Sequence, residues 1–150
     1  AILEKNETHK KTIPTLKDNE LKLTKAYKEL ESFDHKSFLD GAKMAFETII
    51  NSFNKGDKKT LKNLLTKEVY SSFEEAISSG KNDPDYQFYS LVIDSVENVA
   101  VENKIIKITL RFTSEQFKNN DESTVIKKQD LWTFQKNITS KSTIWLLSST

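Results

Sequence analysis

The 150-residue chain contains no cysteine. That excludes disulfides, thiolate catalysis and cysteine-ligated metal together, and it leaves the redox compartment open. Histidine is almost as scarce, since His9 and His35 alone do not build a histidine metal cluster. The three glycines, Gly41, Gly56 and Gly80, are isolated from one another, so there is no glycine-rich phosphate loop. Serine-nucleophile, zinc-binding and calcium-loop patterns are missing too. Arg111 is the single arginine against 22 lysines, and a formal charge of +1 does not argue for a nucleic-acid partner. Together with frequent Ile and Asn, that bias fits codon usage in an AT-rich genome better than a functional cause. No apolar run approaches the ~20 residues needed to span a bilayer. The first residue is not methionine, so we expect a fragment or processed form whose membrane anchor lies outside this chain.

What is present reads as one domain with an arm, large enough to bury a core. Its organiser is the stretch 37–54, where Phe38, Leu39, Ala42, Ala45, Phe46, Ile49, Ile50 and Phe53 recur at helical spacing on one face. Ser37 is expected to cap its start, with Asp40 three residues on, and Gly56 to end it. Residues 1–15 read as an arm. From Thr15 a second amphipathic pattern runs through Leu16, Leu23, Tyr27, Leu30 and Phe33, with near-balanced charge elsewhere. Such a helix docks on its own domain or a neighbour; a membrane-surface helix would carry more basic excess. Asp57 then opens a short helix bearing Leu61, Leu64 and Leu65, and a further helix is expected over 66–79.

The segment 80–85, Gly-Lys-Asn-Asp-Pro-Asp, is a strong turn signal, and nearly everything beyond it reads as strand. Residues 86–96 are apolar on both sides in places, as a central strand would be. Ile106, Ile108, Leu110 and Phe112 alternate with polar residues, giving a half-buried strand. A polar hairpin connection over 118–124 leads to a strand carrying Trp132 and Phe134, and a last strand is expected over 143–148. Helices first and an antiparallel meander after them predict an α+β domain.

Several stretches together carry a family resemblance: FLDGAKMAFETII (38–50), FNKGDKKTLKNLLTKEVYSSFEEAI (53–77), LRFTSEQ (110–116), DLWTF (130–134) and WLLSST (145–150). Over residues 33–150 the chain resembles the Tim-forty-four-like domain, found in a mitochondrial inner-membrane import subunit and in related bacterial membrane-associated proteins. The resemblance implies helices packed on the concave face of a curved antiparallel sheet, a cone related to nuclear transport factor two. It implies a division into an arm with an amphipathic helix, 1–33, and the domain proper, 34–150. It also implies a non-enzymatic, membrane-peripheral scaffold or adaptor at an inner membrane, bacterial rather than mitochondrial. Such a domain contacts anionic lipid and protein partners, is linked to protein translocation or membrane-protein assembly, and needs no cofactor. Two alternatives stand beside it: an enzyme of the ketosteroid-isomerase-like cone, and a ribosomal-RNA adaptor, which the near-neutral charge counts against.

Lys55, Lys58, Lys59 and Lys62 are spaced to share one side of the short helix and its approach. Such a stripe suits lipid phosphates, and equally an ordinary solvated face. Tyr86, Phe88, Phe112, Trp132 and Phe134 either line an apolar pocket at the open end of the cone or fill a closed core. Asp130 shares their strand face and is the one acid placed to act as a general base, although strand-end acids more often bond to backbone or lysine. Arg111 is read as the structural partner of an acid. Asn137-Ile138-Thr139 matches a glycosylation sequon and is read as chance. No catalytic or metal-ligating residue is assigned.

Overall fold

A computed structural model describes residues 12–150, so most of the arm read over 1–15 lies outside them. The central helix, His35–Lys55, starts earlier than its apolar pattern suggested. Asp34, not Ser37, is the cap: its carboxylate accepts from the Ser37 amide at 2.9 Å and from the Ser37 hydroxyl at 2.8 Å. Three residues of offset bring a side-chain oxygen onto an amide that has no helical acceptor. These bonds, the amide first, hold the Asp34 carboxyl below the ordinary aspartate range. Gly56 closes the helix at φ 72°, a left-handed backbone that glycine adopts without strain. We number the helices α1 (Thr24–Glu29), α2 (His35–Lys55), α3 (Lys58–Leu64) and α4 (Lys67–Ser78); a 3-10 turn, Asp18–Leu23, precedes α1. Asp57 caps α3 through the Thr60 amide and hydroxyl.

The strands β1 (Tyr86–Glu102), β2 (Ile105–Lys118), β3 (Asp121–Asn137) and β4 (Leu146–Ser149) form one curved antiparallel sheet in the order β1-β2-β3-β4. Both long hairpins turn on two residues at positive φ, Asn103-Lys104 and Asn119-Asn120. That backbone matches the twist of the flanking strands. The second connection is therefore tighter than the expected 118–124, and Asp121 is already strand.

One expectation fails outright: β1 is an edge strand, not a central one. Its inward apolar residues fall at both odd and even positions because register shifts between Phe88 and Ser90, Ile93 and Ser95, and Val96 and Asn98 each change the phase of the pleat. The last strand starts at Leu146, leaving Ile144 exposed and Trp145 against Phe38, ring centroids 4.8 Å apart.

The core lies between α2 and the inward face of β2 and β3. Ile106, Ile108, Leu110 and Phe112 point inward and are fully buried. Phe46 of α2 enters from the other side at 0% exposure, its ring 4.4 Å from Phe112 and 4.2 Å from Trp132. Leu65 forms a bridge to Leu147, and the Thr66 amide donates to the Leu147 carbonyl at 3.0 Å, tying the helical layer to β4. The 3-10 turn and α1 lie along β1: Asn19 donates to the Asp94 carbonyl at 2.9 Å and Lys22 to the Glu97 carbonyl at 2.7 Å. Leu23, Ala26 and Leu30 join the same buried cluster as α2 and the sheet. The amphipathic segment thus docks on its own domain, and a boundary at 33/34 would cut through packed side chains.

Candidate functional site

The lysine cluster sits where α2 hands over to α3. Gly56 and Asp57 turn the chain, and Leu61 then pins α3 inward at 0% exposure. That anchoring leaves Lys55, Lys59 and Lys62 exposed and Lys58 half-exposed. Lys62 lies in the last turn of α3, where a cation suits the negative end of the helix. Lys58 has one acid in reach, Glu74 of α4 at 4.0 Å, a long contact between largely solvated groups. Asp57 is turned to its capping role on Thr60, whose hydroxyl bond is the larger reason its carboxyl lies below the usual range. Two acids stand beside these lysines: Glu74 near Lys58, and Asp57, whose carboxyl Lys55 also helps to hold down.

The five rings are not brought together in one place. Phe112, Trp132 and Phe134 are buried and in mutual contact, and Phe46 fills the space they enclose. Phe88 packs on the margin of this cluster, 6.1 Å from Phe46. Tyr86 lies further out, beneath the ammonium groups of Lys118 at 5.9 Å and Lys128 at 5.2 Å. These positions make three of the rings core and the other two its rim.

Asp130 stands opposite Phe112 in the β2–β3 ladder, on the inward face. Burial pushes its carboxyl above the ordinary range, and the nearby Lys128 offsets part of that rise. On the same face of β2, Ser114 and Gln116 are both buried, with Gln116 donating to the Ser114 hydroxyl at 3.1 Å. Sequence reading missed this pair, because polar residues in an alternating strand look the same whether they face inward or out. Arg111 is paired with Glu97, Nε and Nη2 each 2.6 Å from the same carboxylate oxygen. Glu97 follows inward-facing Val96 and so points outward, where Arg111 on the neighbouring strand meets it, a partner set by the cross-strand register and not by local spacing. Asn137 accepts from the Thr139 amide at 2.9 Å, so the sequon asparagine closes a turn. A second unforeseen contact joins α1 to α2: the His35 amide donates to the Tyr27 hydroxyl at 2.9 Å, and that hydroxyl lies 2.7 Å from His35 Nδ1.

Comparison with known proteins finds a relative, a solved structure and a family. An uncharacterized protein of Rickettsia prowazekii (strain Madrid E), RP434, is 31% identical over 123 residues, which cover 82% of this chain and 55% of that protein. The chain thus matches about half the length of that relative. Among solved structures, the intermembrane space region of the chloroplast protein ARC6 aligns with 79% of this chain and 95% of its own, at 16% identity and a TM-score of 0.43. Among the described residues, no helix is long and apolar enough to cross a membrane. The sequence model of the Tim44-like domain matches residues 20–150, nearly the whole described chain and the docked α1 with it. The chain belongs to the Tim44-like domain family, a family associated with membrane-related protein translocation or assembly.

Proposed function

We propose that this domain is a non-enzymatic, membrane-peripheral scaffold, held at an inner membrane beside the protein partners of a membrane complex. In this reading Lys55, Lys58, Lys59 and Lys62 contact the phosphates of anionic lipid. The observation that supports it is the exposure of these lysines about a helix turn anchored by Leu61, with Glu74 and Asp57 as the acids beside them. Each lysine brought near an anionic surface contributes about 1 kcal/mol. Lys58 contributes less because it shares its charge with Glu74.

Liposome flotation tests the assignment. The domain should float with cardiolipin-containing vesicles and stay behind with neutral ones. Binding should weaken as salt rises, because the Debye length is only about 8 Å at physiological ionic strength. Replacing all four lysines by Gln should leave the fold intact and remove up to about 3–4 kcal/mol of lipid affinity. Flotation of that variant equal to wild type would overturn the assignment.

A further inference from the structure

Exposed large apolar side chains are ordinary on helices and strands, whose solvent faces are never wholly polar. Among the described residues Ile144, at 59% exposure, is the one such side chain that stands on a loop outside every helix and strand. That loop, 138–145, joins β3 to β4 and is braced by its own hydrogen bonds. The Ile138 amide donates to the Lys104 carbonyl at 2.8 Å, the Ser140 amide to the Asn137 carbonyl at 3.0 Å, and the Ile144 amide to the Ser142 hydroxyl at 3.1 Å. The next residue, Trp145, is half-buried against Phe38, and the Lys136 ammonium lies 6.0 Å from its ring centroid.

The charge about this tip is of one sign. No Asp or Glu occurs from Leu131 to Thr150, whereas Lys136 and Lys141 do, and among the described residues neither has an acid within salt-bridge distance. On the adjoining elements Lys104 accompanies Glu102, and Lys36 accompanies Asp34, whose carboxylate is committed to Ser37. The loop's two lysines are thus in excess. An aliphatic tip, a tryptophan behind it and lysines at the base suit acyl chains, the headgroup boundary and lipid phosphates in turn. A protein interface of ordinary size calls for a broad patch, which one protruding side chain does not make.

We propose that the loop 138–145 sets Ile144 into the acyl region of an anionic membrane, with Trp145 at the headgroup boundary and Lys136 and Lys141 on lipid phosphates. This rests on the membrane-peripheral reading above and adds an apolar anchor to its charges. The two contacts are compatible in place. Leu65 and Leu147 pair in parallel, and Lys62 and Ile144 each stand three residues ahead of that bridge, so α3 and the loop approach it from the same end.

The chain has no cysteine, so a single introduced thiol can carry an environment-sensitive dye. Thr143→Cys labels the tip with Ile144 intact, and Glu122→Cys labels the exposed start of β3 as a control. On vesicles of cardiolipin in phosphatidylcholine the dye at 143 should shift to the blue and be quenched by lipids brominated on their acyl chains. The dye at 122 should do neither. Ile144→Glu should lower vesicle partitioning about tenfold or more, since side-chain burial is lost and an acid faces anionic lipid. Ile144→Leu should retain it. Unchanged thermal unfolding of both variants, expected at so exposed a position, separates loss of binding from loss of fold. Vesicles that float the chain while the dye at 143 stays silent overturn this proposal and leave the α3 lysines as the contact. Flotation and dye response both unchanged when Lys55, Lys58, Lys59 and Lys62 are replaced by Gln overturn the α3 assignment and leave this one. A chain that floats with no vesicle overturns both. A dye at 143 that responds to protein concentration or to added protein, and not to vesicles, makes the loop a protein interface and overturns the proposal as well.

Discussion

Around Leu110 the inward face of the sheet is covered by helix, whereas around Ile126 the same strands run out into solvent. From Ile106 to Phe112 every inward side chain of β2 is fully buried, and α2 drives Phe46 into the rings beside them. From 121 to 129 of β3 only Val125 is even partly covered. One strand thus passes from core to bare arm, paired regularly with β2 as far as Gln116↔Ile126 and shifted in register beyond it. Backbone pairing alone does not make a stable two- or three-stranded ribbon in water; an apolar face packed on something does. The covered end therefore holds the fold together, and the bare end is free to serve contact with other molecules.

The sharpest way to test this division is to remove the wedge. Phe46→Ala should destabilise the domain by about 3–5 kcal/mol, the cost of truncating a buried aromatic. At roughly 2–4 °C per kcal/mol for a chain of this size, the melting temperature should fall by some 10 °C. A shift near zero would mean that the rings close without α2. Next comes Leu23→Ala, expected to cost about 2–5 kcal/mol because Leu23 is fully buried. Urea unfolding followed by two probes should remain a single transition, since Leu23, Phe46 and Leu110 belong to one buried cluster. A separate early transition for α1 would restore the boundary at 33/34.

The bare end should respond in the opposite way. Ile126 is 43% exposed and Leu131 48% exposed, so alanine at either should change stability by no more than about 0.5 kcal/mol. Hydrogen exchange should show the same gradient, with amides of 121–129 exchanging well before those of Ile106, Ile108 and Leu110.

How much of this was legible beforehand follows from where the physics is local. Helix faces and turns depend on nearby residues, so α2, the Asp57 cap and the 80–85 turn could be read from spacing and residue type. The cap of α2 was misplaced because Ser37 and Asp34 both qualify, and the geometry of the preceding chain decides between them. Edge or central position is not local: β1 carries the apolar content of a buried strand because its bulges turn Leu91, Ile93, Val96 and Val99 inward in spite of uneven spacing. The helical spacing of Lys55, Lys58, Lys59 and Lys62 and the inward turn of Leu61 were legible; what the lysines contact was not, because a solvated face and a lipid-facing one share that spacing. The fate of the five rings was not, because it depends on whether Phe46 reaches them across the core.

Asp130 marks the line between the two regions, and its titration offers the smallest and most local test of where that line falls. Burial lifts its carboxyl above the ordinary range while Lys128 pulls the other way. A folded value above the unfolded one, about 3.9, means that the native state holds the proton more tightly. Stability from this group is then present below the unfolded value and is lost as pH rises through the higher folded value. Asp130→Asn keeps the shape and removes the charge. The stability of the variant minus that of wild type should be flat at low pH, rise through this window in favour of Asn, and level off towards neutrality. Other carboxylates titrate in the same range, but they are common to both chains and cancel in the difference. Urea unfolding of the pair across pH 3 to 7 measures it, with the shift kept small by the partial exposure of the site. A flat difference would place Asp130 in the solvated arm and end the covered region at Phe112. A difference of opposite sign would mean that the Lys128 ammonium outweighs burial at Asp130.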